Sequence, residues 1–212
     1  MSLSSFARQT NGHSSKEHWI ERAKVLDGFH SPAIATETLL AAENLSGYSW
    51  EPANGYSRIS NILRAQGHKV FTSDIKRWHS GTDCIRDFLS CPCLPRCFKQ
   101  TGSDLITNPP YKLADSFVQH AMNILPRGNK CCLLLRLQFL EGNKRNAFFE
   151  RYPPRRIHVY SFRLPRMHRF GYDGVDGGST MCFAWFVWIS GYKGPTELKW
   201  IKRPKGWRGE SV

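Results

Sequence analysis

Long apolar runs are missing from this chain of 212 residues, the longest being the nine residues from Met181 to Ile189. A helix that crosses a bilayer needs about 20, so no membrane span is expected. The opening stretch MSLSSFARQTNGHSSKEH has no apolar centre followed by a small-residue cleavage site. It reads as a loose polar lead-in, residues 1–24, and the expectation is a cytoplasmic protein. Internal repeats and low-complexity tracts are also missing, and so is the G-x-G-x-x-G fingerprint, which argues against a nicotinamide dehydrogenase. The seven cysteines are odd in number and include the adjacent pair Cys131 and Cys132, a pattern that fits reduced thiols better than a disulfide framework. Cys84, Cys91, Cys93 and Cys97 lack the paired C-x-x-C knuckles of structural zinc sites. A proline-rich surface loop is the plainer reading, zinc stays open as the alternative, and no metal is expected in the reaction.

Acidic residues are scarce, 17 against 30 Lys and Arg, giving a net charge of +13. Residues 1–106 carry 12 basic against 10 acidic residues, net +2, and residues 107–212 carry 18 against 7, net +11. A cationic half of this kind points to a polyanionic partner, with a merely soluble basic surface as the alternative. Apolar residues are plentiful at 41%, with 13 Phe, seven Trp and seven Tyr, enough for one substantial core.

Along the chain, strand-like and helix-like patterns alternate. GYSWEP, HKVFTSD, DLITNPP, KCCLLLRL, RIHVYSF and TMCFAWFVWIS read as strands, the last of these as the final strand. YSRISNILRAQG, LADSFVQHAMNIL and LEGNKRNAFFERY read as helices; Ile59, Ile62 and Leu63 share one face of the first. The alternation predicts an α/β domain with a mostly parallel sheet and helices on both faces. Between RIHVYSF and TMCFAWFVWIS lies a loop of about 17 residues without helical pattern, which predicts an antiparallel pair there. Ligands of such sheets bind at the carboxyl ends of the strands.

Four strand ends carry polar groups. Glu51 closes the first strand and Asn54 with Gly55 turns into a helix, an arrangement that lets backbone approach a nucleoside-containing cofactor closely. Asp74 lies 19 residues beyond Gly55, where an acid grips a ribose diol in dinucleotide-type folds, or caps a helix. Asp87 could accept from an adenine amino group while Phe88 packs on the base; an exposed acid beside a core Phe is the alternative. The fourth end is DLITNPPYKLADSF, in which Asn108, Pro109, Pro110 and Tyr111 close an apolar strand.

That N-P-P-Y resembles the catalytic motif of S-adenosylmethionine-dependent amino-methyltransferases, above all those acting on adenine in DNA. FHSPAIATETLL (Phe29 to Leu40) is similar to the N-terminal motif that packs on the methionine part of the cofactor. LLLRLQFLEG and GGSTMCFAWFVW resemble small phage and prophage members. The resemblance spans about residues 25–202 and implies a Rossmann-like methyltransferase fold, a seven-stranded sheet with a final antiparallel strand, and a basic tail at 203–212. It implies S-adenosylmethionine as cofactor, held by Pro32, Thr36, Glu51, Pro52, Asn54, Gly55, Asp74, Ile75, Asp87, Phe88 and Asn108. Catalysis would fall to Asn108, Pro109, Pro110 and Tyr111, and DNA would meet Tyr111, Lys112 and the basic loop 163–178 through Arg163, Arg166, His168 and Arg169. Phe170 and Tyr172 interleave with these cations, and Lys199, Lys202, Arg203, Lys205 and Arg208 extend the charge into an expected phosphate-binding arm. A solvated basic loop is the alternative. Two positions depart from the family: Ser57 stands where a second glycine is usual, and Tyr56 where a small acid is common. No separate target-recognition domain fits the remaining length.

The chemistry explains the two prolines. An aromatic amine is a poor nucleophile because its lone pair is spread into the ring; two acceptors at tetrahedral angles to its hydrogens would localise that pair. The Asn108 side-chain carbonyl and the Pro109 backbone carbonyl supply them, held still by the fixed φ and missing N–H of proline. Tyr111 offers a stacking face for a flipped or unpaired base. The same acceptors would serve RNA or a protein glutamine amide, and a catalytically silent nucleic-acid-binding protein with this fold is a rival of another class.

Overall fold

The computed structural model describes residues 30–95, 102–143, 145–165, 167 and 181–207. The lead-in, Cys97, most of the basic loop 163–178 with Arg166, His168 and Arg169, and Arg208 lie outside the described residues. Its elements in chain order are α1 (Ala33–Ala42), β1 (Tyr48–Glu51), α2 (Arg58–Ala65), β2 (Lys69–Asp74), β3 (Cys84–Ile85) and β4 (Asp104–Thr107). They continue with α3 (Ala114–Ile124), β5 (Lys130–Arg136), α4 (Arg145–Arg151), β6 (Arg156–Tyr160), β7 (Phe183–Ile189) and β8 (Glu197–Ile201).

One eight-stranded sheet runs in the order β3-β2-β1-β4-β5-β7-β6-β8. All neighbours are parallel except where β7 meets β5 and β6, so β7 alone runs against the rest. The α/β, mostly parallel architecture expected from the alternation is what forms. Two details differ. β3 has only two residues, too few to leave a pattern, and β8 follows the strand expected to be last, pairing parallel with β6 at the far edge. Lys199, expected in a tail arm, is therefore held in a ladder, opposite His158.

β5 explains how the layers assemble. Its residues Cys131 to Leu135 are at most 1% exposed, because both faces of this central strand are covered. Successive side chains point to opposite faces. Cys131, Leu133 and Leu135 join Trp50, Phe186 and Trp188 beneath α3, which contributes Phe117, Val118 and Ala121. Cys132 and Leu134 join Trp185 and Val187 beneath α1 and α2, which contribute Leu39, Ile59 and Leu63. A doubly wound sheet results, its β1, β2 and β4 ends opening together on one edge.

At the opposite, amino-terminal edge lies a charge cluster that no local pattern announces. Glu43, next to the end of α1, is nearly fully buried; its Oε2 accepts from Lys130 Nζ (2.8 Å) and Arg156 Nη2 (2.8 Å), and its Oε1 from His158 Nε2 (2.8 Å) and Arg156 Nε. Burial alone would raise its pKa, but the hydrogen bonds from His158, Arg156 and Lys130 outweigh burial and hold it well below the usual carboxylate range. Nearby Asp104 accepts from the Ser46 (2.6 Å) and Lys130 (2.7 Å) N–H groups, tying β4 to the turn before β1 and to β5.

Candidate active site

The carboxyl ends of β1, β2 and β4 line a cleft open to solvent on one side, with about 790 Å³ of empty space when the solvent at its mouth is included. Of the expected cofactor residues, Glu51, Pro52, Asn54, Gly55, Asp74, Ile75, Asp87, Phe88 and Asn108 line it, and Pro110 joins them. Pro32 precedes α1 and Thr36 lies on it; both are buried and neither lines the cleft. Thr36, 1% exposed, is packed on the buried side of α1 with Ile34, Ala35, Thr38 and Leu39.

The β1–α2 turn is built around backbone that most side chains resist. Gly55 has φ +52° and donates its N–H to Asp74 Oδ2 at 2.9 Å, which fastens the turn to the end of β2. Ser57 has φ +61°, and among the described residues it is the only non-glycine with positive φ. The left-handed conformation is thus required at the position where the resembled family has its second glycine. Serine is held there by its side chain. Its Oγ accepts from Asn54 Nδ2 (2.8 Å) and meets His79 Nε2 (2.8 Å); since His79 Nδ1 accepts from the Gly81 N–H (2.9 Å), Nε2 is the protonated nitrogen and donates. A Cβ at Gly81 would lie 2.5 Å from the His79 ring, so glycine admits the histidine here.

Asn54 is consumed by the same scaffold. Its amide donates to Ser57 and to Thr82 Oγ1 (3.1 Å), and its oxygen accepts from Ser60 Oγ (2.8 Å). Its expected role toward a ligand reduces to shaping the turn. Asp87 likewise caps the short turn after it, accepting from the Leu89 N–H at 3.1 Å, and Phe88 is a core ring packed against Trp50 (5.2 Å) and Phe117 (4.8 Å) that reaches the cleft wall.

Two carboxylates set the electrostatics. Glu51 accepts from the Ser60 N–H in the first turn of α2 (2.8 Å), and burial pushes its pKa well above the ordinary value. Asp74 accepts from the Gly55 and Lys76 N–H groups and from Trp78 Nε1 (3.1 Å), and burial again raises its pKa. Neither has a cation within salt-bridge distance among the described residues. Arg58 also lines the cleft, but it is exposed and makes no ion pair with either acid among the described residues, so a cationic ligand would relieve both.

Aromatic rings form its mouth. Tyr56, 40% exposed, stacks on His79 with centroids 6.0 Å apart, and lies 5.1 Å from His30 and 6.2 Å from Trp78. Tyr56 is noticeable in the sequence only as a departure; the Trp78–His79 pair gives no signal until the fold brings it across the turn.

Asn108 to Tyr111 leave β4 at the inner end of the cleft. Pro110 O accepts from the Leu113 N–H (2.9 Å), and among the described residues no donor reaches the Pro109 carbonyl. Asn108 Nδ2 donates to Ser31 Oγ (3.1 Å) and toward Met167 Sδ (3.7 Å), while Oδ1 is buried without a partner. Tyr111 does not line the cleft. One face of its ring carries the Arg136 guanidinium at 4.8 Å, and Phe183 lies 6.2 Å away, so the expected open stacking face is covered on one side. Lys112 is exposed, and Arg163 is exposed with Nη1 2.9 Å from Cys182 Sγ.

Among the described residues no group of three or more His, Cys, Asp and Glu is placed to hold a metal, and no helix is long and apolar enough to cross a membrane. No protein-family model matches the chain, and no curated protein matches it significantly. Solved structures do match. A protein assigned as an RNA methyltransferase from Pyrococcus horikoshii is 13% identical, with a TM-score of 0.51 over 83% of this chain and 99% of that one. A protein assigned as a class I S-adenosylmethionine-dependent methyltransferase from Listeria monocytogenes is 13% identical, with a TM-score of 0.52 over 80% of this chain. The modification subunit assigned to a type I restriction enzyme of Vibrio vulnificus is 13% identical, with a TM-score of 0.52 over 92% of this chain. The chain spans 62% of the Listeria protein and 52% of the Vibrio protein. At these identities the likeness establishes the methyltransferase fold.

Proposed function

We propose that the protein is an S-adenosylmethionine-dependent methyltransferase that modifies the exocyclic amine of adenine in DNA. One observation carries the reading: Asn108, with a buried side-chain carbonyl that nothing satisfies, lies on the same cleft as Glu51, Gly55 and Asp74. The residues fit the cofactor, since a ligand with an ammonium and a sulfonium supplies the positive charge that the two buried acids lack. Bound there, the cofactor supplies an electrophilic methyl group. Glu51 and Asp74 would hold it through charge and hydrogen bonds, with Ile75 and the Gly55 turn supplying apolar surface and room for close approach on the same cleft.

The amine is prepared by the protein. Asn108 Oδ1 and the Pro109 carbonyl accept its two N–H groups, which draws the nitrogen toward tetrahedral geometry and localises its lone pair. The prolines hold the Pro109 carbonyl in place before substrate arrives, so alignment and preorganisation supply the acceleration. Net charge of +11 in residues 107–212 supports a nucleic acid over a protein loop as substrate. The expected DNA contacts at Lys112, Arg163, Arg166, His168 and Arg169 belong to this proposal.

The test incubates the protein with labelled S-adenosylmethionine and a panel of single- and double-stranded DNA, RNA and protein substrates. N6-methyladenine in DNA is expected. Label in RNA alone would favour the RNA reading, which the likeness to the Pyrococcus protein keeps in view. A rise in thermal midpoint with the cofactor separates an enzyme from a silent protein of the same fold.

A further inference from the structure

An amide can act as an acceptor toward an amine only if its oxygen, and not its nearly isosteric NH2, faces the amine. A carboxamide turned over by 180° would present donors to donors and leave the lone pair delocalised. Something in the protein must choose. Asn108 Nδ2 has two partners from distant parts of the chain: Ser31 Oγ at 3.1 Å, from the segment before α1, and Met167 Sδ at 3.7 Å, from the segment after β6. Ser31 is 5% exposed and Met167 8%, so neither partner is readily replaced by water.

The two partners differ in what they decide. A serine hydroxyl accepts or donates, so Ser31 alone would tolerate either orientation. A thioether has no proton, and only the NH2 end can face it favourably. Together they take up both N–H groups, and Oδ1 is the atom left buried without a partner.

We propose that Ser31 and Met167 are positioning residues that lock the Asn108 carboxamide with its carbonyl oxygen reserved for the reacting nitrogen. This rests on the methyltransferase reading of the cleft and adds the device that sets the acceptor's polarity. Without the two acceptors, the NH2 group would satisfy itself only by turning toward water in the cleft, and the wrong face would become the resting one.

The test is read first without cofactor or substrate. In 15N-labelled protein the Asn108 side-chain amide is the pair of signals missing from the Asn108→Asp spectrum. In the wild type, nuclear Overhauser contacts from these protons to the Met167 methyl and the Ser31 β-protons are expected, with slow exchange against water. In Ser31→Ala/Met167→Leu the same protons should exchange at least tenfold faster. Met167→Leu alone conserves volume and keeps the test open should the double variant not fold. Absent contacts to Met167 in the wild type, or unchanged exchange in a folded variant, overturns the proposal. In turnover, the double variant should lose at least tenfold in kcat with cofactor affinity within threefold. Unchanged kcat, or a loss confined to KM, also overturns it. A wild type that methylates nothing sinks the methyltransferase reading, while the spectra still decide how the amide is held.

Discussion

The two edges of the sheet handle buried polarity in opposite ways. At the amino-terminal edge, Glu43 meets Lys130, Arg156 and His158, and both oxygens of Asp104 accept backbone N–H groups. At the carboxyl edge, among the described residues, Glu51 and Asp74 are buried with no cation at salt-bridge distance, and Asn108 Oδ1 has no partner. Burial raises the carboxyl pKa at both edges. Only at Glu43 do hydrogen bonds from three bases reverse it; Asp104, on the same edge, stays raised by burial. Glu43 is paired by the fold itself, whereas Glu51 and Asp74 lie where a ligand could supply the missing charge. Other buried polar atoms without a partner, such as Thr36 Oγ1 and Ser103 Oγ, lie away from the cleft, so it is the position of Asn108 Oδ1 beside the two acids that singles it out.

Substitutions at four positions would break or sharpen this contrast. Asn108→Ala should lower methyl transfer by about 10³-fold or more, with cofactor affinity within a few-fold, measured by turnover and calorimetry. Comparable turnover would remove the active role from the carboxyl edge. Glu43→Ala should cost about 3 to 5 kcal/mol of stability by denaturant titration, because Lys130 and Arg156 keep their charge and lose their buried partner. A loss under about 1 kcal/mol would put that edge on a par with surface ion pairs.

The pH dependence separates Glu43 from Glu51 by sign. Glu43, with its folded pKa depressed, contributes stability that is present above the unfolded value of 4.5 and is lost as pH falls below it. Glu51, with its folded pKa raised, works the other way: the folded protein binds the extra proton, so stability drops as pH rises above 4.5. Glu51→Gln should therefore be more stable than the wild type at pH 8, the gap closing toward pH 5. It should also bind S-adenosylmethionine more weakly. Equal stability at both pH values would count against a strained carboxylate. The smallest effect is expected at Ser57. Ser57→Ala keeps the left-handed backbone and loses the Asn54 and His79 bonds, for about 1 to 2 kcal/mol, and Ser57→Gly should lose less because it also relieves φ. If alanine were the better replacement, the left-handed turn would not be a constraint.

Much of this was legible in one dimension. Apolar runs such as KCCLLLRL announce a covered central strand, and Asn108 to Tyr111, Glu51 to Gly55 and Asp74 each occupy a strand end that a short window displays. What escaped was assembled across distance. Glu43 lies 87 residues from Lys130 and 113 from Arg156, and Ser31 and Met167 meet only on Asn108. β8 escaped for another reason. Leu198 and Trp200 are 55% and 62% exposed, so its alternation has no buried apolar face to report and its lysines read as a tail. Asp87 and Asn54 show the converse, polar residues at the expected place whose hydrogen bonds the local turns use up.

The paired thiols in β5 give the molecule an internal clock. Cys131 and Cys132 are fully enclosed, and burial raises both pKa values, whereas Cys182 is open to solvent. An alkylating reagent should mark Cys182 at once and reach the β5 pair only when the helices covering its two faces lift, α3 over Cys131 and α1 with α2 over Cys132. The lag between the modifications would time the parting of the helical layers from the sheet, without any engineered label.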